Sequence, residues 1–251
     1  MNMRSRAVFA AFLAFPATCA SAEDARTPVL TELPPVKVHR KTNPGDLPYK
    51  DFLYIQNYVQ SLLPARRRAI DVRLRVNFAG DKGPDYDRFD PKSWVVAIVG
   101  DTTDHVVPVS RGGYFLLPEL REAVHENATL MFNTPTREGR VALEWKLRVG
   151  ERQAISYATF AQAMSEVRSV QRQIPFNRNG LREVRMVEYD GLRACFRTNE
   201  GRIEIGGYAA ETETDGACRV LKFDPAKANA GPADIRFVGP LEIVTLSRGG
   251  I

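Results

Sequence analysis

The chain has 251 residues, of which 44% are hydrophobic, 26% charged and 9% aromatic. That balance excludes a disordered tail, a fibrous repeat and a polytopic membrane protein, and it leaves room for one large domain or two of about 100 residues. The formal charge is +5 and 27 of the 35 basic residues are Arg, while three His and three Cys are too few for a dense metal framework.

The first 22 residues read as an export signal. Arg4 and Arg6 lie in an acid-free start, residues 7–15 form an unbroken apolar run, and Pro16 ends it ahead of Ala20-Ser21-Ala22. A basic start, a short apolar run and small residues at a cleavage point are the secretory pattern, so cleavage is expected after Ala22 and the location is periplasmic or secreted. Nine apolar residues fall well short of the roughly 20 that a spanning helix needs, so no transmembrane helix is expected in the mature chain. A lipoprotein would use Cys19, but Pro16-Ala17-Thr18 matches a lipobox poorly. Cleavage leaves 229 residues, a net charge of +3, and two cysteines, Cys195 and Cys218. In an oxidising compartment this pair predicts a structural disulfide contributing roughly 3 kcal/mol. A redox or nucleophilic thiol is the alternative, without a C-x-x-C motif or a nearby His in sequence. Basicity ordinarily invites nucleic acid; export removes that partner.

Residues 23–48 carry Pro28, Pro34, Pro35, Pro44 and Pro48 and predict an extended leader, which makes His39 a poor catalytic candidate. Over 49–63 the apolar residues Phe52, Ile55, Val59, Leu62 and Leu63 share one helical face, and Pro64 ends it. The period then changes. Ile70, Val72, Leu74, Val76 and Phe78 alternate with Asp71, Arg73, Arg75 and Asn77, predicting a half-buried antiparallel strand. Strands follow at 94–99, 105–109, 114–117, 129–132 and 141–149, separated by Gly-rich or Asp-rich turns. A second series opens with Ser156 as the cap of a helix running to about Ile174, where Pro175 stops it. Its strands are expected near 181–189, 192–198, 202–207, 219–223, 235–238 and 241–246. Tyr49-x-x-Phe52, Val59 and Ser61 match Tyr157-x-x-Phe160, Val167 and Ser169 at constant spacing. The expectation is an α+β fold, mostly an antiparallel β-sandwich with a packed leading helix, present twice in tandem as modules 49–150 and 151–246. One continuous sandwich with a helix inserted near its middle is the alternative.

Chemistry is sparse. His105 follows Asp101-Thr102-Thr103-Asp104, and His125 precedes Glu126 on a link between strands, but neither neighbours a nucleophile signature. His125-Glu126 lacks the second His of a helical zinc motif. Asp81, Asp85, Asp87 and Asp90 crowd one loop, yet the EF-hand register fails, and Asp101, Asp104 and His105 are as loose. No metal, cofactor or catalytic residue is expected. The Gly112-Gly113 and Gly206-Gly207 pairs are expected in turns or bulges. The remaining signal is Arg: Arg66, Arg67 and Arg68 run into Arg73 and Arg75, and Arg168, Arg172, Arg178, Arg182 and Arg185 recur around the second helix. Guanidinium groups grip phosphates and carboxylates bidentately, so the first five are the candidate binding residues, set against a plain solvated surface balanced by 30 acids.

The series Tyr49-x-x-Phe52, the alternating strand, Val107-Pro108-Val109, Gly113-Tyr114-Phe115-Leu116-Leu117-Pro118 and a late strand around Trp145 resembles an uncharacterised family of secreted proteobacterial proteins over residues 49–149. The stretch from Gly113 through Glu119-Leu120 is also similar to the Gly-aromatic-x-Leu-x-x-x-Leu turn-strand of transthyretin-like, carboxypeptidase-regulatory sandwiches. Both resemblances imply a β-sandwich accessory or binding domain and bring no active site. The expected function is therefore a non-enzymatic periplasmic binding or protein-interaction module. Its partner is an anionic envelope component (lipid head groups, lipopolysaccharide or acidic glycans) or another periplasmic protein. The alternative is a hydrolase acting on cell-envelope material, with His105 or His125 as general base beside Asp104 or Glu126.

Overall fold

A computed structural model describes residues 46–78, 95–132, 139–175, 181–229 and 234–248. The export signal, most of the leader, the Asp81–Asp90 loop and Arg178 lie outside the described residues. The chain enters through β1 (Leu47–Pro48) and passes at once into α1 (Tyr49–Ser61), which buries Tyr49, Leu53, Gln56 and Val59 along one face. Next come β2 (Ile70–Phe78), β3 (Val96–Val99), β4 (Asp104–Val107), β5 (Tyr114–Phe115), α2 (Arg121–His125), β6 (Thr129–Phe132) and β7 (Gly139–Leu147). A second series follows with β8 (Ala154–Ser156), α3 (Tyr157–Gln173), α4 (Arg182–Met186), β9 (Tyr189–Phe196), β10 (Arg202–Ile205) and β11 (Tyr208–Ala209). It closes with β12 (Glu213–Asp215), β13 (Cys218–Lys222), α5 (Pro225–Asn229), β14 (Asp234–Val238) and β15 (Leu241–Arg248).

The strands form antiparallel sheets. A seven-stranded sheet runs β12-β13-β9-β15-β7-β2-β5, and two four-stranded sheets run β1-β6-β3-β4 and β11-β10-β14-β8. The alternation read in β2 sets its register, with Ile70 opposite Leu147, Val72 opposite Trp145 and Leu74 opposite Leu143 on the buried face. Because side chains alternate across a strand, Asp71, Arg73 and Arg75 fall on the other face. The large sheet crosses the midpoint of the chain, where Thr245 of β15 pairs with Lys146 of β7.

Two large apolar cores lie against the sheet, beside a small cluster of Tyr114, Cys195, Ala217, Cys218 and Ile243. One joins Leu53 of α1, Leu74 and Val76 of β2, and Val96, Ile98 and Leu130 of the first small sheet. The other joins Phe160, Met164 and Val167 of α3 to Ile70, Val72 and Trp145, to Leu192 and Val244, and to Ile203, Ile235 and Phe237 of the second small sheet. All described residues belong to one compact unit, Arg40–Ile251.

Polar groups fix the helices. Gln56 is buried on α1 and satisfies both its amide ends on Leu117, accepting from its N–H at 2.9 Å and donating to its carbonyl at 3.0 Å. Ser156 caps α3 as its sequence position predicts, accepting from the Thr159 N–H at 3.0 Å. The two helix-opening tyrosines act alike. The Tyr49 hydroxyl accepts from the N–H of Leu120, just before α2, and the Tyr157 hydroxyl accepts from the N–H of Asp224, just before α5. Cys195 on β9 and Cys218 on β13 face each other across the pair and form the expected disulfide. Gly112, Gly113, Gly206 and Gly207 all have positive φ, and Gly206-Gly207 is the two-residue turn between β10 and β11.

One segment departs from the strand reading, and one link between strands is helical. Residues 182–186 are the helix α4, because Leu181 and Val184 are buried three apart, a helical and not a pleated spacing. Strand β9 begins only at Tyr189. The link carrying His125 is likewise a short helix, α2, which buries Ala123 and places His125 in its last turn.

Candidate functional site

The five arginines of the first cluster take different roles. Arg66 and Arg67 are exposed in the connection from α1 to β2, where Arg67 sits at φ 54 and its carbonyl accepts from Gln162 of α3 at 2.7 Å. Arg68 pairs with Asp71 at 2.8 Å, and Arg148 reaches the same carboxylate at 2.9 Å. Burial alone would raise the Asp71 carboxyl; the Arg148 hydrogen bond and the charges of Arg68, Arg148 and Arg73 outweigh it and hold it below its ordinary value. Arg73 donates to the carbonyl of Val72. Arg75 is buried, donates to the Gly112 carbonyl at 2.9 Å, and lays its guanidinium over the Tyr114 ring at 4.9 Å. These contacts turn Arg68 and Arg75 inward as structural ties.

The two histidines are far from a catalytic constellation. His105 is half-buried opposite Ile98, His125 is exposed, and neither imidazole has a hydrogen-bond partner among the described residues. Glu126, beside His125, is occupied. It accepts from the Thr102 hydroxyl and from the backbone N–H groups of Thr102 and Thr103, and the Thr102 hydroxyl leads in lowering its carboxyl. Among the described residues, no group of three His, Cys, Asp or Glu side chains is placed to hold a metal ion, and no helix is long and apolar enough to cross a membrane.

The second arginine cluster borders a cavity of about 960 Å³. One wall is α3, contributing Met164, Val167, Arg168, Gln171 and Arg172; the other runs from Arg185 through Asp190, and Phe223 and Pro225 close an end. Helical spacing explains the first wall, since 164, 167, 168, 171 and 172 fall on one face. Met164, Val167 and Tyr189 are buried and form the floor, whereas Arg168, Arg172, Met186 and Glu188 are exposed at the rim. The walls are tied together. The Gln171 amide donates to the carbonyls of Val184 at 2.9 Å and Val187 at 2.7 Å, and the Arg185 guanidinium donates to the Ile174 carbonyl at the end of α3. Phe223 is braced by stacking on Tyr157 at 5.8 Å and edge contact with Phe160 at 5.0 Å.

The electrostatics of this groove are asymmetric. Arg168 and Arg172 have no acidic partner among the described residues, whereas Asp190 on the far wall is paired with Lys222 at 3.4 Å. Burial, reinforced by the charge of Glu144, pushes the Tyr189 phenol well up, so the floor stays neutral at physiological pH. A tied apolar floor thus lies under two guanidinium groups that have no acidic partner among the described residues, and the cavity falls at the upper end of the size range of small-molecule pockets. The arginines of this wall are visible in the sequence as a pair four apart. The opposing wall is not, because a strand reading of 181–189 turns alternate residues away from α3.

No family model matches this chain, and neither the curated proteins nor the solved structures contain a match.

Proposed function

We propose that this protein is an exported, non-catalytic binding module of the cell envelope that takes a small anionic ligand in the groove between α3 and the 185–190 segment. The observation that carries this reading is the pair of guanidinium groups, Arg168 and Arg172, without an acidic partner among the described residues, at the rim of a tied cavity of about 960 Å³. Export is supported by the signal pattern of residues 1–22 and by the Cys195–Cys218 disulfide, a bond favoured in oxidising compartments.

The architecture belongs to the same reading: two copies of one helix-plus-β-sandwich unit, joined through β7 and β15. What supports it is the matching order of parts. The strand orders β1-β6-β3-β4 and β8-β14-β10-β11 correspond member by member, and β5-β2-β7 corresponds to β13-β9-β15 on the other side of the junction. The tyrosine that opens each helix accepts from the backbone ahead of the equivalent short helix.

The test is a fluorescence titration of the purified chain with anilinonaphthalene sulfonate, an aromatic anion. One site per chain is expected, weakening as salt rises. The double substitution Arg168→Glu with Arg172→Glu should lower affinity at least about tenfold, the scale of losing one charge-assisted contact. Unchanged affinity in that variant, with its melting temperature preserved, would place the binding elsewhere and refute the groove as the site.

A further inference from the structure

We propose that the ligand class of this groove is a single-chain anionic amphiphile, with its head group held between Arg168 and Arg172 and its alkyl chain laid over Met186, Val187 and Phe223, above the buried Met164 and Val167. This rests on the groove being the binding site. Residues four apart on a helix have neighbouring side chains, so both guanidinium groups can donate to the oxygens of one carboxylate or phosphate. The third arginine of the groove, Arg185, is held by the Ile174 carbonyl, which places the head group on the α3 side. Glu166, the acid nearest these arginines on α3, is buried and accepts from the Ala69 N–H at 3.0 Å and from Gln162 at 2.7 Å. On the opposite wall Lys222 offsets Asp190, and Glu188 is the lining carboxylate, among the described residues, that opposes an anion.

A small polar anion would use the rim and leave the floor untouched. Met164 and Val167 are almost fully buried beneath it, Phe223 extends the apolar surface at one end, and Met186 stands 59% exposed at the edge. An exposed, flexible thioether beside a buried apolar floor suits an alkyl chain, which it can fold over. Each methylene that enters such a surface adds about fourfold in affinity. Carboxylate and phosphate heads satisfy the same two guanidinium groups, so their common chemistry defines the class.

The experiment is calorimetric titration of the purified full chain, below micelle-forming concentrations, with laurate, dodecyl phosphate, butyrate and the uncharged dodecyl maltoside. Laurate or dodecyl phosphate should bind one per chain, the tighter naming the head group. Butyrate and dodecyl maltoside should each be weaker by at least about tenfold. Glu188→Gln should tighten the dodecyl anions, and Met186→Lys, a change at an exposed position, should weaken chain-length selectivity. Equal binding of butyrate and laurate, with the sulfonate probe still lost in the Arg168→Glu and Arg172→Glu variant, overturns the amphiphile while leaving an anion site. Equal binding of dodecyl maltoside and laurate removes the role of the guanidinium pair. If neither dodecyl anion binds, the amphiphile is excluded outright, and the sulfonate result alone then decides the groove.

Discussion

At the scale of single residues, charge is spent inward as well as outward. Asp71 receives Arg68 and Arg148 together, with both Asp71 and Arg68 at 19% side-chain exposure. Because its folded pKa lies below the unfolded value, the stabilisation is fully present above about pH 4 and is lost as pH falls through the folded value. Asp71→Asn should therefore cost roughly 1 kcal/mol at neutral pH, about 2–4 °C in melting temperature. Variant and parent should converge in acid, and thermal melts across that range check it; a constant difference at all pH values would contradict the ion-pair account. Ser156 shows what such detail owes to the sequence. A small hydroxyl residue ahead of an apolar 3.6-residue period predicts its cap, and the Thr159 N–H is where that rule places its bond. The inward fate of Arg75 is not legible in the same way. Alternation places it on the polar face of β2, but only the arrival of Tyr114 on β5 and the Gly112 turn buries it.

At the scale of elements, long periodic segments are legible and short ones are not. Helix α3 and strand β2 follow their apolar spacing closely, whereas α1 has the expected extent but buries Tyr49, Leu53, Gln56 and Val59, leaving Phe52, Ile55 and Leu62 of the expected face only partly buried. Helices α2, α4 and α5 have five residues each, too few to reveal a period, and they exist because tertiary contacts complete them. That is why the α3 side of the groove can be read from Arg168 and Arg172 while the side beginning at Arg185 cannot. The disulfide is the other feature visible in advance, and its placement gives it a second role. Between Cys195 and Cys218 lie β10 and β11, half of the second small sheet, and β12, where the chain rejoins the large sheet, so the bridge closes the excursion between β9 and β13. Replacing both cysteines by Ala should lower stability by roughly 3 kcal/mol, about 6–12 °C in melting temperature. A melt of the variant under oxidising conditions tests this, and an unchanged midpoint would mean that the bridge adds nothing beyond strand pairing.

At the scale of the molecule, the two halves keep their strands segregated yet share a core. Ile70, Val72, Leu143, Trp145 and Leu147 of the first half pack in one cluster with Phe160, Val167, Leu192 and Val244 of the second. Such sharing predicts one cooperative unfolding transition, with fluorescence and circular dichroism midpoints coinciding in a denaturant titration. Two separated transitions would show that the halves hold their structure independently. The order of parts on which the proposed duplication rests is a property of strand pairing, which depends on partners far away in sequence. The helix motifs alone hint at it through Tyr49 and Tyr157.

The shared core also has a consequence for the chain while it is being made. Strands β2 and β7 can pair as soon as residue 147 has emerged, since no second-half strand lies between them. The apolar strip they form, with Trp145 at its centre, is covered only in part, by Val59 and Leu63 at the end of the first helix, until α3 follows and then β9, which begins more than forty residues of chain later. A nascent or translocating chain paused at that stage presents a half-built sheet whose bare face is an invitation to aggregate. The order of synthesis thus makes the first half dependent on the second, and a holding chaperone would find its binding surface on the strip running from Ile70 and Val72 to Trp145 and Leu147.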